Sequence, residues 1–255
     1  MRAIVLSAEQ GKRLLPLTSE TPRCLLPVRA SRTLLEAQLR ALVACGVTEV
    51  SVMAGFRADR VGALLDADPV PGLRAMAFYN PFFNIAGNLA TCWVARSEMR
   101  EDFVLVNGDT LFEAAVLERL LDSPPALVTL AVNEKSQYDP DDMKVARGRR
   151  NELVSVGKKL DPAIVDGEAI GLTLFRGEGP ARFVRALDAA LRDPSALYAW
   201  YPSVLNSMAD DGVVFTTSIT GLWWAEVDSV EDLRAVRSVL GDPTASGTAC
   251  GHTRF

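Results

Sequence analysis

Residues 3–14 read Ala3-Ile4-Val5-Leu6-Ser7-Ala8-Glu9-Gln10-Gly11-Lys12-Arg13-Leu14, and the chain continues through Pro16-Leu17-Thr18 to Thr21-Pro22-Arg23-Cys24-Leu25-Leu26-Pro27-Val28. Ala3 to Leu6 is an unbroken apolar run, the pattern of a strand buried on both faces of a parallel sheet. It empties into a loop whose backbone N–H groups, with Lys12, Arg13 and Arg23, can cradle a polyphosphate. The loop carries neither the P-loop pattern G-x-x-x-x-G-K-[ST] nor the dinucleotide pattern G-x-G-x-x-G, so a kinase or nicotinamide reading finds no fingerprint.

Working outward, Leu34, Leu35, Leu39, Leu42 and Val43 give a helical stripe from about Ser31 with Gly46 as its C-cap. Strand, helix and strand follow at about 49–54, 57–68 and 73–79, which is the βαβ rhythm of a doubly wound sheet. A helix from Asn88 to about Met99 precedes a buried strand at Phe103-Val104-Leu105-Val106, which ends at Asn107-Gly108-Asp109-Thr110. Ligands of open α/β sheets bind beyond the carboxyl ends of strands, which is where Asp109 falls. A strand at about 127–132 leads to shorter segments near 143–146, 153–157 and 169–175, which predict an antiparallel β extension on the acceptor side. Then come a helix at 179–192, strands at 213–218 and 223–227, and a helix at 229–240 opened by Ser229 and Asp232 at capping-box spacing. The expected fold class is α/β, a mainly parallel doubly wound, Rossmann-like sheet with an added antiparallel region. Residues 1–240 are expected to be one domain, with one half at 1–125, a second at 126–240 and a flexible tail at 241–255.

The chain has 255 residues, 27 basic and 32 acidic side chains, 49% hydrophobic residues and a net charge of −5. That balance argues against a nucleic-acid-coating surface. No apolar run reaches the roughly 18 residues of a membrane span, so the expectation is a cytoplasmic protein without membrane insertion. Charge is unevenly placed: residues 1–33 carry +4 and the remainder −9. The four cysteines are scattered and the one histidine is His252. Zinc, a disulfide framework and a Ser-His-Asp or Cys-His triad are therefore not expected, and any chemistry falls to carboxylates, cations or a bound metal.

Leu6, Ala8, Gly11, Arg13, Leu14, Pro16, Leu17, Thr18, Pro22, Leu25, Pro27 and Val28 together resemble the signature of the nucleotidyltransferases that activate sugar 1-phosphates and phosphocholine. The resemblance extends to Gly46-Val47, Gly55, Asn107-Gly108-Asp109 and Val227-Asp228-Ser229-Val230-Glu231-Asp232-Leu233. Tyr79 to Ala90, Asp141 to Val145, Gly157 to Leu160 and Gly167 to Gly171 are most similar to the phosphocholine cytidylyltransferase-like branch.

The resemblance implies that an acceptor phosphate oxygen attacks the α-phosphorus of a nucleoside triphosphate and that pyrophosphate leaves. That reaction needs cations and Mg²⁺ rather than a histidine base. It implies Asp109 and Asp228 on Mg²⁺, and Lys12 and Arg13 on the β- and γ-phosphates. Arg23 would contact the transferred phosphate and Lys158 the acceptor phosphate. Ala8, Gln10, Gly11, Gly55, Asn80 and Asn88 join the nucleotide side; Glu168, Gly171, Trp200 and Trp223 join the acceptor side.

Two departures stand out: Glu9 replaces the first loop glycine and Arg23 the usual lysine. Gly11 survives, so the loop is expected to approach phosphate with Glu9 turned outward. Phe82, Phe83, Tyr138, Tyr198, Trp200, Tyr201, Trp223 and Trp224 offer an aromatic cage for a quaternary ammonium, with core packing as the alternative for each. CTP with a small phosphorylated or phosphonate acceptor is the favoured substrate pair. A sugar-1-phosphate nucleotidyltransferase using UTP, dTTP or GTP and a catalytically degenerate sensor or scaffold stand as alternatives. Homo-oligomerisation is left open.

Overall fold

The computed structural model describes residues 1–29 and 32–241. The tail expected at 241–255 lies outside these residues from 242 onward, as does His252. In chain order the strands and helices are β1 (Arg2–Ser7), β2 (Pro27–Arg29), β3 (Arg32–Thr33), α1 (Leu34–Ala44), β4 (Glu49–Ala54), α2 (Ala58–Asp66), β5 (Arg74–Tyr79), α3 (Asn88–Val94), β6 (Phe103–Asn107) and β7 (Thr110–Phe112). They continue with α4 (Ala114–Leu121), β8 (Val128–Asn133), β9 (Lys144–Arg147), β10 (Leu153–Gly157), β11 (Gly167–Phe175), α5 (Gly179–Ala190), α6 (Pro202–Ala209), β12 (Val214–Ser218), β13 (Trp224–Glu226) and α7 (Val230–Val239).

Among the described residues nine strands form one sheet, ordered β10-β9-β11-β6-β1-β4-β5, with β8 pairing β11 and β12 pairing β8. β6, β1, β4 and β5 are parallel neighbours, and β11 closes this block by running antiparallel to β6. The apolar run at the start of the chain is explained by its position. Ala3 and Val5 pack on the face covered by α1, α2 and α4, while Ile4 and Leu6 pack on the face covered by α3, α5 and α6. A strand buried on both sides has no polar side to alternate with.

Helix starts follow side-chain chemistry. α1 begins at Leu34 rather than near Ser31 because the Thr33 hydroxyl accepts from the Glu36 N–H and the Glu36 carboxylate accepts from the Thr33 N–H. The same reciprocal pair, Ser229 with Asp232, starts α7. Helices α4 and α6 are absent from the sequence reading; α4 buries Val116, Leu117 and Leu120 on the sheet, and α6 has Pro202 at its first turn. The helix expected to reach Met99 tightens after Val94 into a 3-10 turn at 95–98.

A third, smaller core positions the site. Leu14, Leu26, Val28, Leu34, Leu111, Val227, Leu233 and Val236 pack together, so α7 sits on the first loop. Arg237 adds two hydrogen bonds to the Pro27 carbonyl, at 2.9 and 2.7 Å.

Candidate active site

Three chain segments converge at the carboxyl ends of the neighbouring strands β1 and β6 and of β13, which pairs with β7 in a separate small sheet. β1 delivers the loop from Ala8 onward, β6 delivers Asn107-Gly108-Asp109, and β13 delivers Val227-Asp228. Gly108 donates to the Leu6 carbonyl at 3.0 Å, and a Cβ on Gly108 would lie 2.4 Å from that oxygen, so only glycine lets the two strand ends close. The Val227 N–H donates to the Asp109 carbonyl at 3.0 Å and ties the two carboxylate-bearing segments together. Asp109 and Asp228, 119 residues apart by numbering, are thus neighbours as expected.

Arg23 lies between them. Its Nη2 is 2.8 Å from Asp109 Oδ2 and its Nη1 is 2.5 Å from Asp228 Oδ1, with the side chain only 9% exposed. Burial works against the charged guanidinium, but Asp109, then Asp228 and Glu9, outweigh it and hold the proton more firmly than in water. The sequence reading put Arg23 on the transferred phosphate; in this structure its nitrogens are spent on carboxylates. Glu9 keeps its side chain 51% exposed but faces the site mouth, lining the small cavity there with its Oε2 3.7 Å from Arg23 Nη2. Partial desolvation in that mouth raises the Glu9 carboxyl, with Arg23 opposing and Asp109 and Asp228 adding to the rise.

From Asp228 a chain of alternating charge runs across the site. Arg13 Nη2 is 2.5 Å from Asp228 Oδ2 and its Nη1 is 3.2 Å from Asp141 Oδ2. Asp141 Oδ1 is 3.5 Å from Lys158 Nζ, which lies 4.4 Å from the centre of the Trp200 ring. The expected phosphate-side cation Arg13 and the expected acceptor-side pair Lys158 and Trp200 are therefore joined through Asp141. Lys12 is exposed next to Arg13.

Several expected ligands turn out to be supports. Asn80 is fully buried; its Nδ2 donates to Thr91 and its Oδ1 accepts from Phe82 N–H, so its amide shapes the turn after β5 rather than meeting a nucleotide. Gln10 donates to the Thr18 carbonyl and closes the loop on itself. Ala8 is buried and its carbonyl accepts from Phe56 N–H. Gly55 is required because a Cβ would lie 2.6 Å from that same Ala8 carbonyl oxygen. Gly171 is buried, at φ +78°, with Asn107 Nδ2 2.5 Å from where a Cβ would stand, and it lies where β11 shifts register beside the end of β6. Asn88 does line the small cavity beside Arg23 and Asp109, while its Oδ1 accepts from Tyr201 N–H.

Glu168 is also a support. It is buried with Lys135 Nζ 2.7 Å from its Oε2, and the same ammonium is 2.6 Å from Asp142 Oδ2. Burial pushes the Glu168 carboxyl up to about 7, with Lys135 pulling the other way. Lys144, which sequence context makes a surface lysine, is buried and donates to the carbonyls of Asp139 and Lys158 at 2.5 and 3.1 Å. Together these groups fix the 139–142 turn that presents Asp141.

Three of the eight aromatics offered for a cage are held by packing, while Phe82 is 42% exposed. Trp223 packs into the third core, Trp224 against the first, and Tyr201 is 2% exposed edge-on to Phe183. Trp200 and Tyr198 remain open, at 46% and 73% exposure. Sequence reasoning missed Glu226, two residues before Asp228. Burial, then Asp109 and Asp228, keep its carboxyl well above the ordinary range. Its position at the last residue of a strand leading to a functional aspartate was the available signal.

The donor set fits Mg²⁺. Two hard carboxylates, Asp109 and Asp228, converge on one already cationic point, and that ion completes its shell with water and substrate phosphate rather than a protein cage. Among the described residues no group of three or more His, Cys, Asp or Glu side chains could hold a metal ion. No helix among the described residues is long and apolar enough to cross a membrane.

Comparison with known proteins agrees with this architecture. Over 131 residues, 51% of this chain, it is 36% identical to a CMP-5'-(3-aminopropyl)phosphonate synthase of Streptomyces rubellomurinus. The chain spans 20% of that relative's length and 54% of another's. It is 22% identical over 94% of its length, and 98% of the relative's, to the choline-phosphate cytidylyltransferase of Streptococcus pneumoniae. The structure of the inositol-1-phosphate CTP transferase from T. maritima superposes with a TM-score of 0.78, covering 98% of both chains at 22% identity, and so shares the fold. Residues 3–207 match the model of the MobA-like NTP transferase domain, and with β1, its loop and the β6 carboxylate inside that match the chain belongs to this family.

Proposed function

We propose that the chain is a Mg²⁺-dependent nucleotidyltransferase that joins a nucleoside triphosphate, CTP favoured, to a small phosphorylated or phosphonate acceptor. The observation that carries this reading is the alternating run Asp109, Arg23, Asp228, Arg13, Asp141, Lys158, which links a two-carboxylate site at the strand ends to a cation beside an open tryptophan. Two anionic substrates need positive charge on both sides of the reacting bond, and Arg13 and Lys158 supply it from opposite halves of the chain. CTP is favoured because the choline-phosphate relative is named a cytidylyltransferase and the phosphonate relative is named for a CMP product.

In this reading an oxygen of the acceptor's phosphate or phosphonate forms a bond to the α-phosphorus, and the bond from that phosphorus to the oxygen bridging the β-phosphorus breaks. The electron pair leaves with pyrophosphate, and no proton is abstracted because the nucleophile is already an anion. Arg13 and Lys12 hold the β- and γ-phosphates, and Lys158 orients the acceptor oxygen, its ammonium steadied by Asp141 and Trp200. Asp109 and Asp228 would hold Mg²⁺, which when bound supplies neutralising charge at the phosphates. The test is a matrix of nucleoside triphosphates against choline phosphate, aminoalkylphosphonates and hexose 1-phosphates, read by pyrophosphate release. The highest rate is expected with CTP and a choline phosphate or phosphonate acceptor; no release with any pair would overturn the reading.

A further inference from the structure

Arg23 is more deeply set than a phosphate-binding side chain needs to be. Its aliphatic part runs beneath Gly11, whose missing side chain makes the room: a Cβ there would stand 3.0 Å from Arg23 Cβ and 3.1 Å from its Cδ. The planar fork places one nitrogen on each aspartate, and Glu9 approaches one of them. The other oxygen of Asp228 is held by Arg13. Three of the four carboxylate oxygens suited to a divalent cation thus already hold a guanidinium, and the fourth, Asp109 Oδ1, has only the Thr110 hydroxyl 3.4 Å away. A cation bridging the two aspartates therefore meets a guanidinium in close like-charge contact.

We propose that Arg23 is a resident counter-ion of Asp109 and Asp228, and that its guanidinium competes with the divalent cation for these two carboxylates. The nucleotidyltransferase reading enters only in naming Mg²⁺ as the cation concerned. Arginine suits this task and lysine does not, because a two-pronged fork bridges two carboxylates whereas an ammonium is a single point of charge. The chain therefore holds the divalent cation weakly on its own. Its affinity is lowered by the fraction of molecules in which Arg23 has let go.

The experiment is a titration of the full chain with Mn²⁺ alone, without nucleotide, followed by the loss of the free Mn²⁺ electron paramagnetic resonance signal. Arg23→Lys and Arg23→Gln are compared with the parent, and each is first checked for a cooperative thermal transition. Both variants are expected to bind Mn²⁺ about tenfold or more tightly than the parent. Adding Asp109→Asn or Asp228→Asn to either should abolish the gain. If one Arg23 variant fails to fold, the other carries the comparison. Equal or weaker binding in the variants, or no binding in any of them, overturns the proposal. Pyrophosphate release by the parent chain is measured on the same preparation. Turnover with unchanged Mn²⁺ affinity in the variants removes the competition and leaves the activity reading standing; tighter Mn²⁺ binding with no turnover does the reverse.

Discussion

Replacing Gly11 by alanine puts the loop geometry under direct strain. Gly11 sits at φ +78°, ψ 61°, a left-handed conformation that costs an L-residue about 1–2 kcal/mol. The added methyl would meet Arg23 Cβ at 3.0 Å, Arg23 Cδ at 3.1 Å and Leu14 Cδ1 at 3.3 Å. The Cδ atoms can swing aside, but Arg23 Cβ is fixed by the 3-10 turn at 23–25, so the loop must lift off it. Allowing about 1 kcal/mol for that contact, the low end for overpacking, the total is about 2–3 kcal/mol. At roughly 2–4 °C per kcal/mol for a chain of this size, Tm should fall by about 4–12 °C. The internal control is Gly62→Ala in the middle of α2, where φ is ordinary and nothing lies within 4 Å of the new methyl. That change should raise stability by about 0.5–1 kcal/mol through helix propensity. Thermal unfolding followed by circular dichroism reads both. Since lifting the loop also displaces Lys12 and Arg13, which follow Gly11, pyrophosphate release should drop by roughly tenfold or more. A Tm within about 1 °C of the parent would refute the claim that Gly11 is held left-handed against Arg23.

Asp109→Ala and Asp228→Ala should each lower Mg²⁺-dependent pyrophosphate release by roughly 10²-fold or more while leaving the far-UV spectrum unchanged; retained activity in either removes that residue from the site. Trp200→Ala takes away the ring beside Lys158 and should raise the acceptor KM a few-fold, in line with about 0.5–1 kcal/mol for an exposed cation–π contact, with the KM for CTP unmoved. A change confined to the CTP term would place Trp200 on the wrong substrate. Glu168 has a folded-state pKa of about 7 against 4.5 in a free side chain, so between those values the folded chain binds the extra proton and stability falls as pH rises. Glu168→Gln should flatten that part of the Tm-against-pH curve, and an unchanged slope would refute the assignment.

How much of this could be read from the sequence depended on how local each cause is. The buried run Ala3 to Leu6, the capping pair Ser229 and Asp232, and Asp109 at the end of β6 are each decided within a few residues, and the structure places them as expected. The roles of Arg23, Asn80, Lys144 and Glu168 were not legible, because each depends on what lies above the side chain after folding. Arg23 meets Asp228 across 205 residues, and Lys144 becomes buried because the 139–142 turn folds over it. Trp223 illustrates the same point: an aromatic beside a candidate site segment reads as a ligand contact, whereas the fold leaves it partly buried against the third core. Trp200 and Tyr201 read as binding aromatics, whereas Pro202 directly after them marks the start of helix α6.

The contact between Arg13 and Asp228 spans 215 residues, and the docking of Leu233 and Val236 of α7 on Leu14 and Leu26 helps to hold it. The nine-stranded sheet pairs without reference to that helix, whereas Asp228 is set between β13, which pairs with β7, and α7. Anything that binds both the cationic loop and Asp228 must therefore also hold α7 in place, by an amount set by its concentration relative to its dissociation constant. Hydrogen exchange at the α7 amides then becomes a gauge of occupancy at a site those amides do not touch.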